Sequence, residues 1–168
     1  MKVLIVVDMQ NDFLTGSLAN PDACKIVPKI IELAKNYDEI WFTLDSHNSD
    51  YLQTAEGKAL PIEHCIVGTE GWKLVEQLKS IDAPTHYIQK NTFGSLKLAD
   101  AIDPFNDLEE VTFCGTCTDI CVVSNALILK AMRPNLTINV KADCCAGLSP
   151  DKHEAALSVM QSCQINII

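Results

Sequence analysis

Residues 2–8, KVLIVVD, place five aliphatic side chains in a row between a lysine and an aspartate. A strand with one face in water alternates apolar and polar residues. This one does not, so it reads as a strand buried on both faces. The same character returns at wide spacing in EIWFTLD (39–45), THYIQK (85–90), EVTFCG (110–115), LTINVK (136–141) and QINII (164–168). Between these runs the period becomes helical. In KIVPKIIELAK (25–35), Ile26, Ile30, Ile31 and Leu33 fall largely on one face, and EGWKLVEQLKS (70–80) and residues 119–132 read the same way. SPDKHEAALSVM (149–160) opens with Ser149 as an N-cap and Pro150 at the first helical position. Strands alternating with helices imply right-handed crossovers and a parallel sheet covered on both sides. The expectation is one three-layer α/β/α domain over residues 1–168.

A chain of 168 residues is long enough for one sizeable core and short for two domains. The formal charge of −9 and the single arginine, Arg133, argue against a nucleic-acid or anionic-membrane surface, which needs clustered cations. No apolar run approaches the roughly 18 residues of a membrane span. The N-terminal apolar run is too short for a signal peptide. The expected compartment is the cytoplasm, where thiols stay reduced. The eight cysteines then read as small buried hydrophobes, metal ligands or nucleophiles.

In an open parallel sheet, ligands sit beyond the carboxyl ends of the strands. Applied here, that rule brings Asp8, Asp45, Lys90 and the segment Gly115–Cys121 to one rim. Three cysteines crowd CGTCTDIC (114–121). Their spacing leaves open a metal clip, a redox pair, inert packing, or a nucleophile with two bystanders. A thiol needs a positive field and a base to act as a nucleophile. Cys121, expected in the first turn of the helix with Thr118 or Asp119 as cap, would feel the helix's positive end, with Lys90 as a fixed cation and Asp8 as the proton acceptor. Cys114, last in its strand, is expected to pack in the core.

The stretch 44–69 is polar, lacks a clear period and holds two of the four histidines, which marks a functional loop or a disordered one. Within it, Asp45-Ser46-His47 sits where the second strand runs out, and His64 follows at a distance. On extended chain, Asp45 and His47 point the same way. One carboxylate and two imidazoles suit Zn²⁺, Fe²⁺ or Mn²⁺, although polar strand ends and solvated histidines give the same pattern.

Three motifs in order carry a family resemblance. Asp8-Met9-Gln10-Asn11-Asp12-Phe13 resembles the D-x-Q-x-D-F signature of the isochorismatase-like cysteine hydrolases. Lys90-Asn91-Thr92-Phe93-Gly94-Ser95 resembles their lysine segment, and Gly115-Thr116-Cys117-Thr118-Asp119-Ile120-Cys121-Val122 their nucleophile turn. The resemblance spans nearly the whole chain. It implies a six-stranded, mostly parallel, Rossmann-like sheet and a catalytic triad of Asp8, Lys90 and Cys121. It also implies a cis peptide at Thr116–Cys117 and an oxyanion hole from the backbone N–H groups of Cys117 and Cys121. Cys117 stands where the family commonly has alanine.

The D-x-H and the stretch from His64 to Gly71 are similar to the metal-binding segments of the nicotinamidase-like branch, which implies Asp45, His47 and His64 as ligands of a divalent metal, zinc first. Glu56 or Asp50 are further candidates. Phe13 and Phe93 are candidates for the substrate pocket, or for the core. The position three before His64, often aromatic in that branch, is Pro61. His86 and His153 match no site motif. The implied activity is a metal-dependent cysteine amidase acting on a small carboxamide, nicotinamide to nicotinate and ammonia first. A related hydrolase of another amide or carbamoyl group is the alternative. A non-catalytic metal or redox module built on Cys114, Cys117 and Cys121 is the reading from another class. The expected partner is a small molecule; a homo-oligomer is compatible with the resemblance, but no interface is legible in the sequence.

Overall fold

The computed structural model describes residues 1–168. Six strands form one sheet: β1 (Lys2–Val7), β2 (Glu39–Asp45), β3 (Thr85–Lys90), β4 (Glu110–Thr116), β5 (Thr137–Ala146) and β6 (Asn166–Ile167). Their spatial order is β3-β2-β1-β4-β5-β6, and every pairing is parallel. Val3 to Val7 of the central strand have no solvent exposure, as the uninterrupted aliphatic run of β1 demands of a sheet covered on both faces. The cover comes from helices α2 (Pro21–Ala34), α4 (Leu96–Ile102), α5 (Val123–Met132) and α6 (Pro150–Ser162). Two single-turn helices, α1 (Asn11–Leu14) and α3 (Ala55–Ala59), lie in loops at the carboxyl rim.

Several boundaries differ from the sequence reading, each for a physical reason. Helix α2 begins four residues before Lys25, because the Asn20 side chain accepts the Asp22 N–H and Pro21 occupies the first turn. The stretch 70–80 is not a regular helix. Its backbone bonds go instead to the segment after β1: Asn11 N–H donates to Lys73 O, Asp12 N–H to Gly71 O, and Val75 N–H to Met9 O. Only Glu76–Ser80 coils, as 3₁₀. Tertiary pairing has overridden an amphipathic pattern. Helix α4, unmarked in the sequence reading, is capped by Ser95, whose hydroxyl accepts the Leu98 N–H at 3.1 Å. Strand β5 continues to Ala146 past a register shift opposite Phe113–Gly115.

Sequence order runs outward from β1 to β2 and β3 on one side, then returns to place β4 on the other. The crevice at the end of β1 and β4 is therefore the topological switch point, where such sheets bind ligands. Gly115 makes the close approach there possible. Its φ is +110°, and a Cβ at that position would lie 2.2 Å from Val7 O. Gly115→Ala should therefore destabilise the protein by about 3 kcal/mol, a fall in Tm of roughly 6–12 °C. An unchanged thermal midpoint in calorimetry would contradict this reading.

Candidate active site

Strand β1 ends at Asp8, whose φ of 49° is left-handed, a conformation that Asp tolerates better than most residues. Its side chain is fully buried beneath the rim. Oδ1 accepts a hydrogen bond from the Thr43 hydroxyl at 2.6 Å, and Oδ2 lies 2.6 Å from Lys90 Nζ with no other donor to satisfy it. Lys90 closes β3. Its ammonium, with a side-chain exposure of 1%, also reaches Cys121 Sγ at 3.5 Å and Asp45 Oδ1 at 3.6 Å. Strands β1, β2 and β3 and the turn after β4 thus meet at one buried cation.

Burial outweighs that cation at Asp8 and holds its carboxyl above the usual carboxylate range. Burial, reinforced by the Asp8 charge, likewise lifts the Cys121 thiol, and Lys90 pulls the other way. For Lys90, burial favours the neutral amine, but Asp8, Cys121 and Asp45 together keep it protonated well past neutrality. Burial thus disfavours the charged form of both the acid and the thiol, and the Lys90 ammonium between them favours it. This is the composition that nucleophilic catalysis by sulfur requires.

The turn carrying Cys121 departs from the expected helix start. Thr118–Val122 form a π-helical turn and α5 begins only at Val123. Neither Thr118 nor Asp119 caps it. Thr118 Oγ1 pairs with His153 Nδ1 at 2.8 Å, and Asp119 accepts the Leu148 N–H at 2.9 Å, so both side chains serve tertiary contacts instead. The Thr116–Cys117 peptide is cis, and the Cys117 N–H finds no acceptor within the protein. Asn125 locks the turn from below: its Nδ2 donates to Cys121 O at 2.7 Å and Phe93 O at 3.1 Å, and its Oδ1 accepts the Ser95 N–H.

The three-cysteine module is not assembled. Cys114 is sealed inside β4, with burial pushing its thiol far up, while Cys117 is half-buried at the pocket wall. The cluster suited to a metal lies elsewhere, in Asp45, His47 and His64, whose ligand atoms all lie within 4.8 Å of one another. Asp45 Oδ2 is 3.0 Å from His47 Nε2 and 3.4 Å from His64 Nε2. His64 Nδ1 faces Ile62 O at 2.9 Å, so a proton on Nδ1 leaves Nε2 free to ligate. Glu56 Oε1 approaches both imidazoles at 3.7 and 3.8 Å. Asp50, the other candidate, is exposed and takes no part. Burial opposes ionisation of Asp45, yet the two histidines win and hold it well below the usual carboxylate range. His64 is raised in turn: burial works against its charge, but the Asp45 hydrogen bond prevails.

The loop 46–69 is folded around this cluster. A parallel bridge pairs His47 with Ile66, and His47 N–H donates to Cys65 O. Tyr51, without solvent exposure, sits against both imidazoles at ring distances of 4.7 and 5.0 Å and donates its hydroxyl to Leu60 O. Gln10 reaches across from β1 to take both backbone groups of Asp45, donating to its O at 2.8 Å and accepting its N–H at 2.7 Å. Asp12 accepts the Cys65 N–H at 2.8 Å and so anchors the residue after His64. Gln10 and Asp12 lie inside the first quoted motif, and their spacing was the signal for a role. Thr43 and Tyr51 had none: a buried threonine in a strand and a tyrosine in a polar loop look ordinary.

A cavity of about 500 Å³ joins the two clusters, bounded by Asp45, Glu56 and His64 at one end and by Cys117 and Cys121 beside them. Both expected phenylalanines line it. Phe13 is largely buried, 5.7 Å from the His64 ring, and Phe93 is half-exposed at the mouth. Pro61 is exposed and stays off the wall; its neighbour Leu60 lines it instead. His86 stacks on Trp41 at 4.3 Å, away from the site. No helix is long and apolar enough to cross a membrane.

Comparison with known proteins places the chain in a family. The chain is 26% identical over 185 residues to the nicotinamidase/pyrazinamidase of Mycobacterium tuberculosis, covering 100% of this chain and 98% of that one. Among solved structures, the pyrazinamidase of Pyrococcus horikoshii in complex with zinc superposes with a TM-score of 0.83 at 29% identity, covering 99% and 98% of the two chains. The pyrazinamidase/nicotinamidase of Streptococcus mutans gives 0.86 at 27%, covering both in full. The isochorismatase domain model matches residues 2–168, and the chain belongs to the isochorismatase family of amide-hydrolysing enzymes.

Proposed function

We propose that the protein hydrolyses a small primary carboxamide, nicotinamide to nicotinate and ammonia, with Cys121 as nucleophile. The observation that carries this reading is the Lys90 ammonium in contact with Asp8, Cys121 and Asp45 at once, which joins an acid–thiol pair and a metal-binding trio at one cavity. Relatives that align over nearly their whole length are named nicotinamidase/pyrazinamidase, which supports the choice of substrate.

Asp8 takes the Cys121 thiol proton as sulfur bonds to the amide carbon. Charge collects on the amide oxygen, where the Cys117 N–H, unengaged within the protein, and the Cys121 N–H act as donors. When the C–N bond breaks, Asp8 returns its proton to the departing nitrogen, and ammonia leaves a thioester. A water then attacks that carbon, giving one proton to Asp8; as the C–S bond breaks, Asp8 passes that proton to the sulfur, and the carboxylic acid leaves and loses its remaining proton to solvent. Lys90 stays protonated throughout and keeps the acid and the sulfur in register.

Asp45, His47 and His64, with Glu56 as a fourth donor, would hold a divalent metal, zinc by the nature of the donor set. When bound, such an ion supplies a Lewis-acidic point that orients a ring nitrogen. The convergence of two Nε2 atoms on one carboxylate oxygen, with the second oxygen turned to Lys90, fits that role.

Cys121→Ala should lower kcat by at least ~10⁴-fold with an unchanged circular dichroism spectrum; near-normal turnover would remove the nucleophile assignment. Lys90→Met leaves two buried carboxylates without their cation and should cost about 3–5 kcal/mol in urea unfolding along with activity. Chelation should abolish nicotinamide binding and added Zn²⁺ should restore it. Because Asp45 raises His64, the metal must displace a proton that is increasingly bound as pH falls. Zinc affinity measured by competition titration should therefore be weaker at pH 6 than at pH 8.

A further inference from the structure

The cavity before Cys121 has room on one side only, and we infer that its best substrates are primary carboxamides of aromatic rings that carry an apolar substituent. This inference rests on the amidase reading above. A pyridine carboxamide fills roughly 150 Å³ at the packing density of organic crystals, against a cavity of about 500 Å³. The histidine and cysteine ends account for the ring and its amide. The remaining wall is formed mainly by Leu18, Ala19, Pro21, Ile120 and Leu148, with Ser17 and Asn20 as its polar members.

That wall is braced. Asn20 donates its side-chain N–H to Gly147 O at 2.9 Å, tying the turn before α2 to the corner after β5. Its Oδ1 is occupied by the Asp22 N–H, and Asp119 holds the Leu148 N–H at 2.9 Å. The Asn20 and Asp119 side chains are therefore committed to holding the walls apart, and apart from Ser17 the surface between them is aliphatic.

The opposite side is closed. The departing nitrogen must face Asp8, its proton donor. Asp8 and Lys90 are buried and neither lines the cavity. A group on the amide nitrogen has nowhere to go, whereas a group on the ring enters the aliphatic lobe. Each methylene buried there strengthens binding roughly four-fold.

The test uses the zinc-loaded protein with nicotinamide, 5-butylnicotinamide and N-butylnicotinamide, together with calorimetric binding of the first two to Cys121→Ala. The expected result is at least ten-fold tighter binding and a correspondingly lower KM for the 5-butyl compound, and no turnover of the N-butyl amide. Ala19→Phe fills the lobe and should reverse the preference by at least ten-fold. Leu148→Ala, at a half-exposed position outside the core, should reduce it several-fold by removing wall contacts. Nicotinamide hydrolysed but 5-butylnicotinamide bound equally or more weakly would overturn the inference alone, as would a preference indifferent to Ala19→Phe. Hydrolysis of neither primary amide would overturn the amidase reading and this inference with it.

Discussion

One buried ammonium organises the molecule's chemistry. Lys90 stands among Asp8, Asp45 and Cys121, all sealed from solvent. Two carboxylates buried together without a cation would take up protons rather than stay charged. With Lys90 between them, Asp45 can remain ionised for its histidines while Asp8, deeper and more desolvated, holds its proton more readily. In the proposed mechanism, the same cation divides two chemically identical side chains into a ligand and an acid–base group. Removing any one of the three partners of Lys90 would leave the others with a different charge balance, so the two clusters cannot be tuned independently.

The sheet makes this convergence possible. Parallel strands all deliver their carboxyl ends to one rim, and register puts Asp45 directly beside Lys90 and Val7 beside Gly115. The reversal of strand order at β1 opens a crevice there. The surrounding loops act as a second layer of support. Gln10 binds Asp45 as an additional strand would, Asp12 anchors the residue after His64, and Tyr51 packs against both imidazoles. Asn125 does the same for the nucleophile turn, fastening it to the loop that follows β3. The reacting groups rest on strand ends, while loop residues with no chemistry of their own set their angles.

The cavity inherits an asymmetry from this design. Its deep side is closed by the strands themselves, and its outer side is walled by the Leu18–Pro21 turn and the corner at Leu148. With Pro61 turned outward, Leu60 is the residue that this loop contributes to the wall. In the proposed reaction, proton transfer falls at the narrow end and discrimination between substrates at the broad, mainly apolar one.

Much of this was legible in the sequence. Unalternating aliphatic runs such as KVLIVVD can be satisfied only between two covering layers, and polar residues at their ends can project only toward the shared rim; Asp8, Asp45, Lys90 and Cys121 follow from that logic. Local pattern failed where backbone bonds went to distant partners. The stretch 70–80 looks helical, but its N–H and C=O groups pair with the segment after β1. The Thr118–Val122 turn is set by contacts to His153 and Leu148 rather than by a cap. Residue order alone determined which groups reach the rim, because strand polarity is a property of the chain. Only the tertiary structure decided which of them are buried, and it did so by packing. That burial sets the distances to Lys90 and hence where each proton resides, and neither quantity is encoded by any residue and its neighbours in sequence.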